Sequence, residues 1–352
     1  MNTVKLRTTW AIFTITGLTL ILLVMFLSPF AFMVFTSLKT PEQITILGAP
    51  IWPAKPASFE YNGKELEAFT VPMNTCAGSE NDNSSKSLIL VKKGLKESTF
   101  ADPDDPDRGE FVCTVAWRSL DRPWQFAPTW ANYKEVWNTI NYPRLLWNTT
   151  FYAIATTIGV LISCTLVAYG FSRFDFPGRD FLFIVLISTI FLPAFVTVIP
   201  TYTFFQKIGW VGTWLPLIVP TFFANAFDTF LLRQYFMTIP RDMDEAAMID
   251  GASRFRVLWS VLLPQSYPAL LAIVVFHIVY AWNDFFGPLI YLSTNRDAWP
   301  ISVALQTFNG IYGQKPQLIQ AGALMALIAP LILFVLAQRF FVRGIVITGV
   351  EK

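Results

Sequence analysis

His277 is the sole histidine of the chain, and Cys76, Cys113 and Cys164 are its three cysteines. That is too few for a His/Cys metal site at the usual ligand spacing, so no metal is expected. Hydrolytic patterns of the G-x-S-x-G and H-E-x-x-H kinds are missing, as is the G-x-x-x-x-G-K-[ST] loop that cradles nucleotide phosphates. The chain reads as a non-enzyme without a cofactor, unable to bind ATP through such a loop. What remains are polar groups set in apolar runs: Asn225, Asp228, His277, Asn283 and Asp284. Ionisable groups at membrane depth are costly and usually face a bundle interior or a cavity. These five are candidates for a solute pathway or its gate. Each has a plainer alternative. A lone histidine in an apolar helix is more often a hydrogen-bonded packing residue than a proton carrier. Asn283 with Asp284, next to Trp282, reads first as a structural network near an outer gate.

The elements that would hold these groups follow from composition. The 352 residues are 54% hydrophobic and only 14% charged, against about a quarter charged in ordinary soluble domains. A lipid bilayer is therefore the expected surrounding. The net charge of +2 is too small to suggest a nucleic-acid partner. A bilayer core needs roughly 20 apolar residues as helix. Six segments qualify: Trp10–Thr36, Leu145–Phe171, Phe181–Phe205, Val211–Leu232 with Asp228 inside, Pro268–Leu292 with His277 and Asp284 inside, and Ile319–Phe341. Prolines within these runs are tolerable where neighbouring helices re-satisfy the freed backbone. The first run is too long for a signal peptide, and no small-residue cleavage site follows it. It reads as an uncleaved anchor. An all-α membrane protein of six spans is expected.

Lys and Arg set the orientation. With the N-terminus inside, the cytoplasmic segments hold 11 basic residues and the short outer loops only Lys207, Arg296 and Lys315. Both termini are then cytoplasmic. The polar stretch 37–144 lies outside and reads as holding a small β-rich domain. Phe59–Leu66 has an Asn-Gly turn between alternating residues, a hairpin signal. Leu88–Val91 is a short apolar run. In Glu110–Trp117 the residues Phe111, Cys113, Val115 and Trp117 would share one strand face. Cys76 and Cys113 fall in this outer region and can pair there as a disulfide. Cys164, in an apolar run, reads as packing.

The most informative segment is cytoplasmic: Ile239-Pro-Arg-Asp-Met-Asp-Glu-Ala-Ala-Met-Ile-Asp-Gly-Ala-Ser253, continuing to Val261-Leu-Leu-Pro264. Asp242 or Asp244 can cap a helix start, and Glu245 suits its first turn. Ala246 and Ala247 are small, with Gly251 four residues beyond Ala247 on the same face. Small side chains allow close approach of another protein, and Gly251 permits a chain reversal. A helix, a turn and a second helix at the membrane surface would suit a groove on a soluble partner.

Glu-Ala-Ala, three residues, Gly, nine residues and Val-x-Leu-Pro resembles the signature loop of binding-protein-dependent ABC importer permeases. Val261 stands where that family has Ile. Phe230–Phe236, Ala281–Ile290 and Gln338–Gly344 resemble the carbohydrate-type branch, and within it the G-type permease of the maltose importer. The likeness covers roughly residues 10–50 and 124–345; the far C-terminus departs from the Gly-rich ending frequent in the family.

The resemblance implies a type I permease bundle in the bacterial inner membrane. It implies a second permease subunit, an ABC ATPase dimer and an extracytoplasmic solute-binding protein as partners, and a sugar or oligosaccharide as cargo. Glu245, Ala246, Ala247, Asp250, Gly251 and Pro264 would couple to the ATPase. Gln306, Phe308 and Tyr312, in the loop before the last helix, would reach toward the binding protein. The implied organisation is an anchor helix (1–36), an outer segment (37–144) with the β-rich part inserted at about 59–122 where the family usually has a short connection, a permease core (145–345) with its coupling loop (239–264), and a tail (346–352).

Overall fold

In a computed structural model of the chain, residues 2–61, 63–79, 82–105, 109–310 and 313–347 are described, with side chains from 12 to 338 except 194. The tail from 348, Tyr312 and part of the acidic 102–107 loop lie outside them. The chain divides into two compact units, residues 1–135 with 315–321, and 136–314 with 322–352.

The first unit opens with helix α1 (Asn2–Ser37), whose described side chains from Ile12 to Phe30 are almost all exposed. An apolar helix with so little protein around it is suited to lipid contact on every side. A short helix, α2 (Pro41–Thr45), is capped by Thr40, whose side chain accepts from the Gln43 amide. Seven strands follow: β1 (Ala54–Pro56), β2 (Ser58–Tyr61), β3 (Lys64–Pro72), β4 (Ser85–Lys92), β5 (Ser98–Ala101), β6 (Glu110–Cys113) and β7 (Trp124–Phe126). Strands β2 to β6 form one antiparallel meander in chain order, and β1 pairs with β7. The hairpin expected over Phe59–Leu66 is present in the described residues, with Tyr61 opposite Lys64 and Gly63 at φ +73°. Phe69, Val71, Leu88, Leu90 and Phe100 fill the core of the sheet, so period-2 patterning places its apolar face inward. The strand expected over Glu110–Trp117 is shorter. It stops at Cys113, and Trp117 begins a 3₁₀ turn, although Phe111, Val115 and Trp117 still pack on that core.

Cys76 and Cys113 form a disulfide across a separation of 37 residues. Closing a loop of that length stabilises by about 4 kcal/mol in the chain-entropy model. Replacing both cysteines by alanine is expected to lower the melting temperature of the sheet and raise its susceptibility to protease. An unchanged proteolysis rate would count against this role.

After α3 (Ala131–Thr139), the second unit is built around α4 (Tyr142–Arg173). The rest of it comprises α5 (Arg179–Ser188), α6 (Ala194–Lys207), α7 (Leu215–Ile218), α8 (Ala226–Thr238), α9 (Asp242–Ile249), α10 (Arg254–Val257), α11 (Leu263–Gln265), α12 (Tyr267–Asn283), α13 (Phe286–Tyr291), α14 (Ile301–Ala304), the strand pair β8 (Asn309–Gly310) and β9 (Gly313–Gln314), and α15 (Pro316–Ile347). Among the described residues, four helices are long and apolar enough to cross a membrane, and six if two bent pairs each count as one span.

Three expected helices differ in detail. The run 181–205 is bent by about 100° at Leu192–Pro193, where a proline interrupts it. The run 211–232 starts at Leu215, opens at Phe223–Asn225 and continues to Thr238. The run 268–292 ends at Asn283, so Asp284 lies past the helix rather than within it.

The opening at Phe223–Asn225 is held by α4. Gly159 admits the facing segment so closely that a Cβ there would collide with the Thr221 hydroxyl and the Phe222 ring. Ser163 donates to the Thr221 carbonyl, and the Cys164 thiol reaches the Asn225 carbonyl at 3.8 Å. Freed backbone groups inside an apolar bundle are satisfied by neighbouring side chains, as the medium requires.

Candidate functional site

Two places collect the polar groups. The first is a cavity of about 560 Å³ walled by the break before α8, the start of α8, α12 and Val160 of α4. Asn225, Asp228 and His277 line it together with Phe223, Phe276 and Tyr280. Residues 49 positions apart meet because α8 and α12 both pack on α4. Asn225 is the N-cap of α8. Its Oδ1 accepts the Asp228 amide at 2.9 Å, and its Nδ2 donates to Asp228 Oδ2 at 2.7 Å. Its amide is thereby used to fix the carboxyl group. Asp228 Oδ1 receives no hydrogen bond from a described residue. His277 Nε2 is enclosed yet has no hydrogen-bond partner there either.

Asp284 and Asn283 lie elsewhere. Asp284, just ahead of α13, accepts the Gly287 amide of its first turn at 3.2 Å. It also accepts from Tyr152 of α4 at 2.7 Å, and its carbonyl accepts from Ser302 at 2.6 Å. Asn283 takes no part in this network: it is exposed and donates to the Val279 carbonyl of its own helix. Beside Asp284, α4 holds the segment before and within α14. Asn148 donates to the carbonyls of Asp297 and Trp299, and Thr149 accepts the Ile301 amide. In the loop beyond, Gln306 is exposed but Phe308 is buried, so the phenyl ring is not offered outward. Tyr312 is outside the described residues.

The second place is the loop after α8. Helix α9 ends in paired hydrogen bonds, Ala252 N–H to the Ala247 carbonyl and Gly251 N–H to the Met248 carbonyl. This double closure needs a left-handed residue at the turn, and Gly251 has φ +84°. Gly251 is thus beyond the helix and does not continue the Ala247 face. Ser253 then caps α10 by accepting the Arg256 amide. Glu245, Ala246, Asp250, Gly251 and Pro264 are exposed, as are the apolar side chains of Met243, Met248, Ile249 and Phe255.

Neither Asp242 nor Asp244 caps α9: no side chain does so at Arg241, its first flanking residue. Asp244 turns instead to Arg173 at the end of α4, with Nε–Oδ2 at 2.8 Å and both side chains nearly buried. Burial pushes the Asp244 carboxyl up from its ordinary value, against the pull of Arg173 and Arg241. Arg173 also donates to the Ile239 carbonyl, Arg241 to the Ser172 carbonyl, and Tyr169 to the Arg254 carbonyl. Sequence reasoning missed this clasp. Arg173 is one of the 11 basic residues that orient the chain, and its partner Asp244 is 71 residues away.

Residues 155–346 match the model of a family described as binding-protein-dependent transport system inner membrane component. An osmoprotective compounds uptake permease protein of Synechocystis sp. is 32% identical over 70% of this chain and 83% of its own length. An arabinooligosaccharides transport system permease protein of Halalkalibacterium halodurans is 28% identical over 58% of this chain and 72% of its own. Among solved structures, a chain of a bacterial ABC transporter involved in the import of the acidic polysaccharide alginate aligns with a TM-score of 0.65 at 19% identity. It covers 94% of this chain and 97% of that one. At this identity the likeness is one of fold.

Proposed function

The chain belongs to the family of binding-protein-dependent transport system inner membrane components, and from that membership we propose that it is a permease subunit of an ATP-driven importer of a sugar or oligosaccharide. The observation that carries the coupling role is the loop Asp242–Ser253. It is a short helix closed at a left-handed glycine, with small and apolar side chains exposed and its base tied to α4. Such a knob fits a groove on a soluble ATPase.

On this reading the N-terminus and the α9 loop are cytoplasmic, the strand-rich segment is extracytoplasmic and contacts a solute-binding protein, and a second permease completes the pathway. Asn225, Asp228 and His277 line this chain's half. The name of the arabinooligosaccharide relative supports a sugar cargo; that of the osmoprotectant relative favours, as the second reading, a small non-sugar solute.

Purification of the tagged chain from its own membranes is expected to bring down an ABC ATPase and a second permease. Solute flux through the chain alone, with no ATPase attached, would sink the reading.

A further inference from the structure

Taking α1 as a membrane span on the permease reading, we infer that the loop Ile46–Pro53 is a second membrane anchor. It is seated between headgroups and acyl chains at the C-terminal end of α1 and holds the strand-rich segment against the lipid surface. Composition is the first observation. Ile46-Leu47-Gly48-Ala49-Pro50-Ile51-Trp52-Pro53 has no charged side chain, and no polar one except the Trp52 indole. Yet Leu47 is fully exposed, and Ile51 and Trp52 are more than half exposed. Contiguous apolar exposure of this kind marks an interaction surface.

The second observation is where the loop's backbone bonds go. Gln43, itself buried, donates to the Pro50 carbonyl at 3.1 Å and to the Trp52 carbonyl at 2.8 Å, and accepts the Ala54 amide at 3.0 Å. Lys39 donates to the Pro50 carbonyl at 3.0 Å, and the Ala49 amide donates to the Ile46 carbonyl at 3.3 Å. A loop in water can leave such groups to the solvent. One that enters an apolar medium has to satisfy them within the protein.

Depth is the third. The uncharged stretch between Arg7 and Lys39 is about 46 Å long as helix. That is close to the ~40–45 Å of a bilayer with its headgroup layers, so Lys39 stands among headgroups. Ile51 borders the same apolar groove as Leu27, Phe32 and Phe35 of α1, and Leu47 borders a recess with Phe32 and Lys39. Both side chains thus stand beside the last turns of α1, at the upper edge of the acyl region. The Thr129 amide donates to the Leu38 carbonyl and the Ala127 amide to the Pro53 carbonyl, which brings the exposed rings of Phe126 and Trp130 to a similar level. Tryptophans collect at such an interface. A protein partner would bring polar groups of its own and would not require the loop's carbonyls to be satisfied in advance. Continuity with the lipid-facing side of α1 selects the bilayer.

The test places a nitroxide at Leu47→Cys or Ile51→Cys in the purified complex, reconstituted in vesicles of phosphatidylethanolamine and phosphatidylglycerol. Collision with oxygen, which concentrates in lipid, is compared with collision with a water-soluble nickel chelate. Cys164 is buried and Cys76 is bonded to Cys113, so the parent chain serves as an unlabelled blank. Ile21 of α1 and Leu95 of the turn between β4 and β5, both exposed, are the reference sites. Labels at 47 and 51 should favour oxygen, as at 21, and the label at 95 should favour nickel. Preference for nickel at either loop site, or exclusion of both reagents as beneath a protein partner, would overturn the anchor. Preference for nickel at 21 would overturn the span and the anchor with it. A labelled chain that purifies without an ATPase would overturn the permease reading alone, since the depth measurement runs equally on the chain by itself.

Discussion

Gly251→Val is expected to abolish ATP-driven uptake while the transmembrane helices stay folded. At φ +84° a side chain with a Cβ is strained by about 1–2 kcal/mol, and a β-branched one resists most. A Cβ at this position would meet no atom of the chain within 4 Å, so the strain is confined to the turn. Rotation of the turn relieves it, which breaks the bonds from Gly251 to Met248 and from Ala252 to Ala247 and re-aims α9. A knob aimed wrongly no longer seats in its groove. Gly251→Ala should show a partial loss, because it carries the same strain with less bulk. Uptake into proteoliposomes, beside circular dichroism of the same preparation, separates lost coupling from lost fold. Normal uptake by the valine variant would refute the role given to this turn.

Arg173→Ala is the second large effect. It removes the guanidinium from a nearly buried carboxylate, and breaking such a pair costs about 3–5 kcal/mol. The Ile239 carbonyl loses its donor as well. Detergent-solubilised protein should melt at a lower temperature, and ATP hydrolysis should respond less to the solute-loaded binding protein. Arg173→Ala with Asp244→Ala should recover part of the stability, since no charge is then left unpaired, but not the coupling. A double variant as unstable as the single one would show that the ion pair is not the source of the loss.

These expectations differ in how far the sequence alone supports them. The spans were legible because apolar runs of about 20 residues leave little else to form. The hairpin was legible in Asn62-Gly63 with its alternating flanks, and the α9 loop in the spacing from Glu245 to Pro264. What could not be read were choices made by distant partners. Asp244 has the residue type and position of a cap, yet Arg173 claims it. Asp284 sits in an apolar run that reads as helix, but Tyr152, Gly287 and Ser302 supply bonds that end the helix there. Asn225, Asp228 and His277 each stand out in the sequence singly, as polar residues in apolar surroundings. Their meeting in one cavity depends on the packing of α8 and α12 against α4, which no local pattern encodes.

Helix α4 grips a different loop near each of its ends, which sets the timing of events on the two sides. Near one end, Asn148, Thr149 and Tyr152 hold the 284–302 region; near the other, Tyr169, Ser172 and Arg173 hold the 239–254 loop. A helix of 32 residues is about 48 Å long. Anything that tilts it by about 5° about its middle carries each end through about 2 Å, in opposite directions and at the same moment. On the proposed reading, arrival of a loaded binding protein on one side and closure of the ATPase on the other are registered by one stiff body, with no relay between them. Idle ATP consumption is then governed by how well that single helix resists bending.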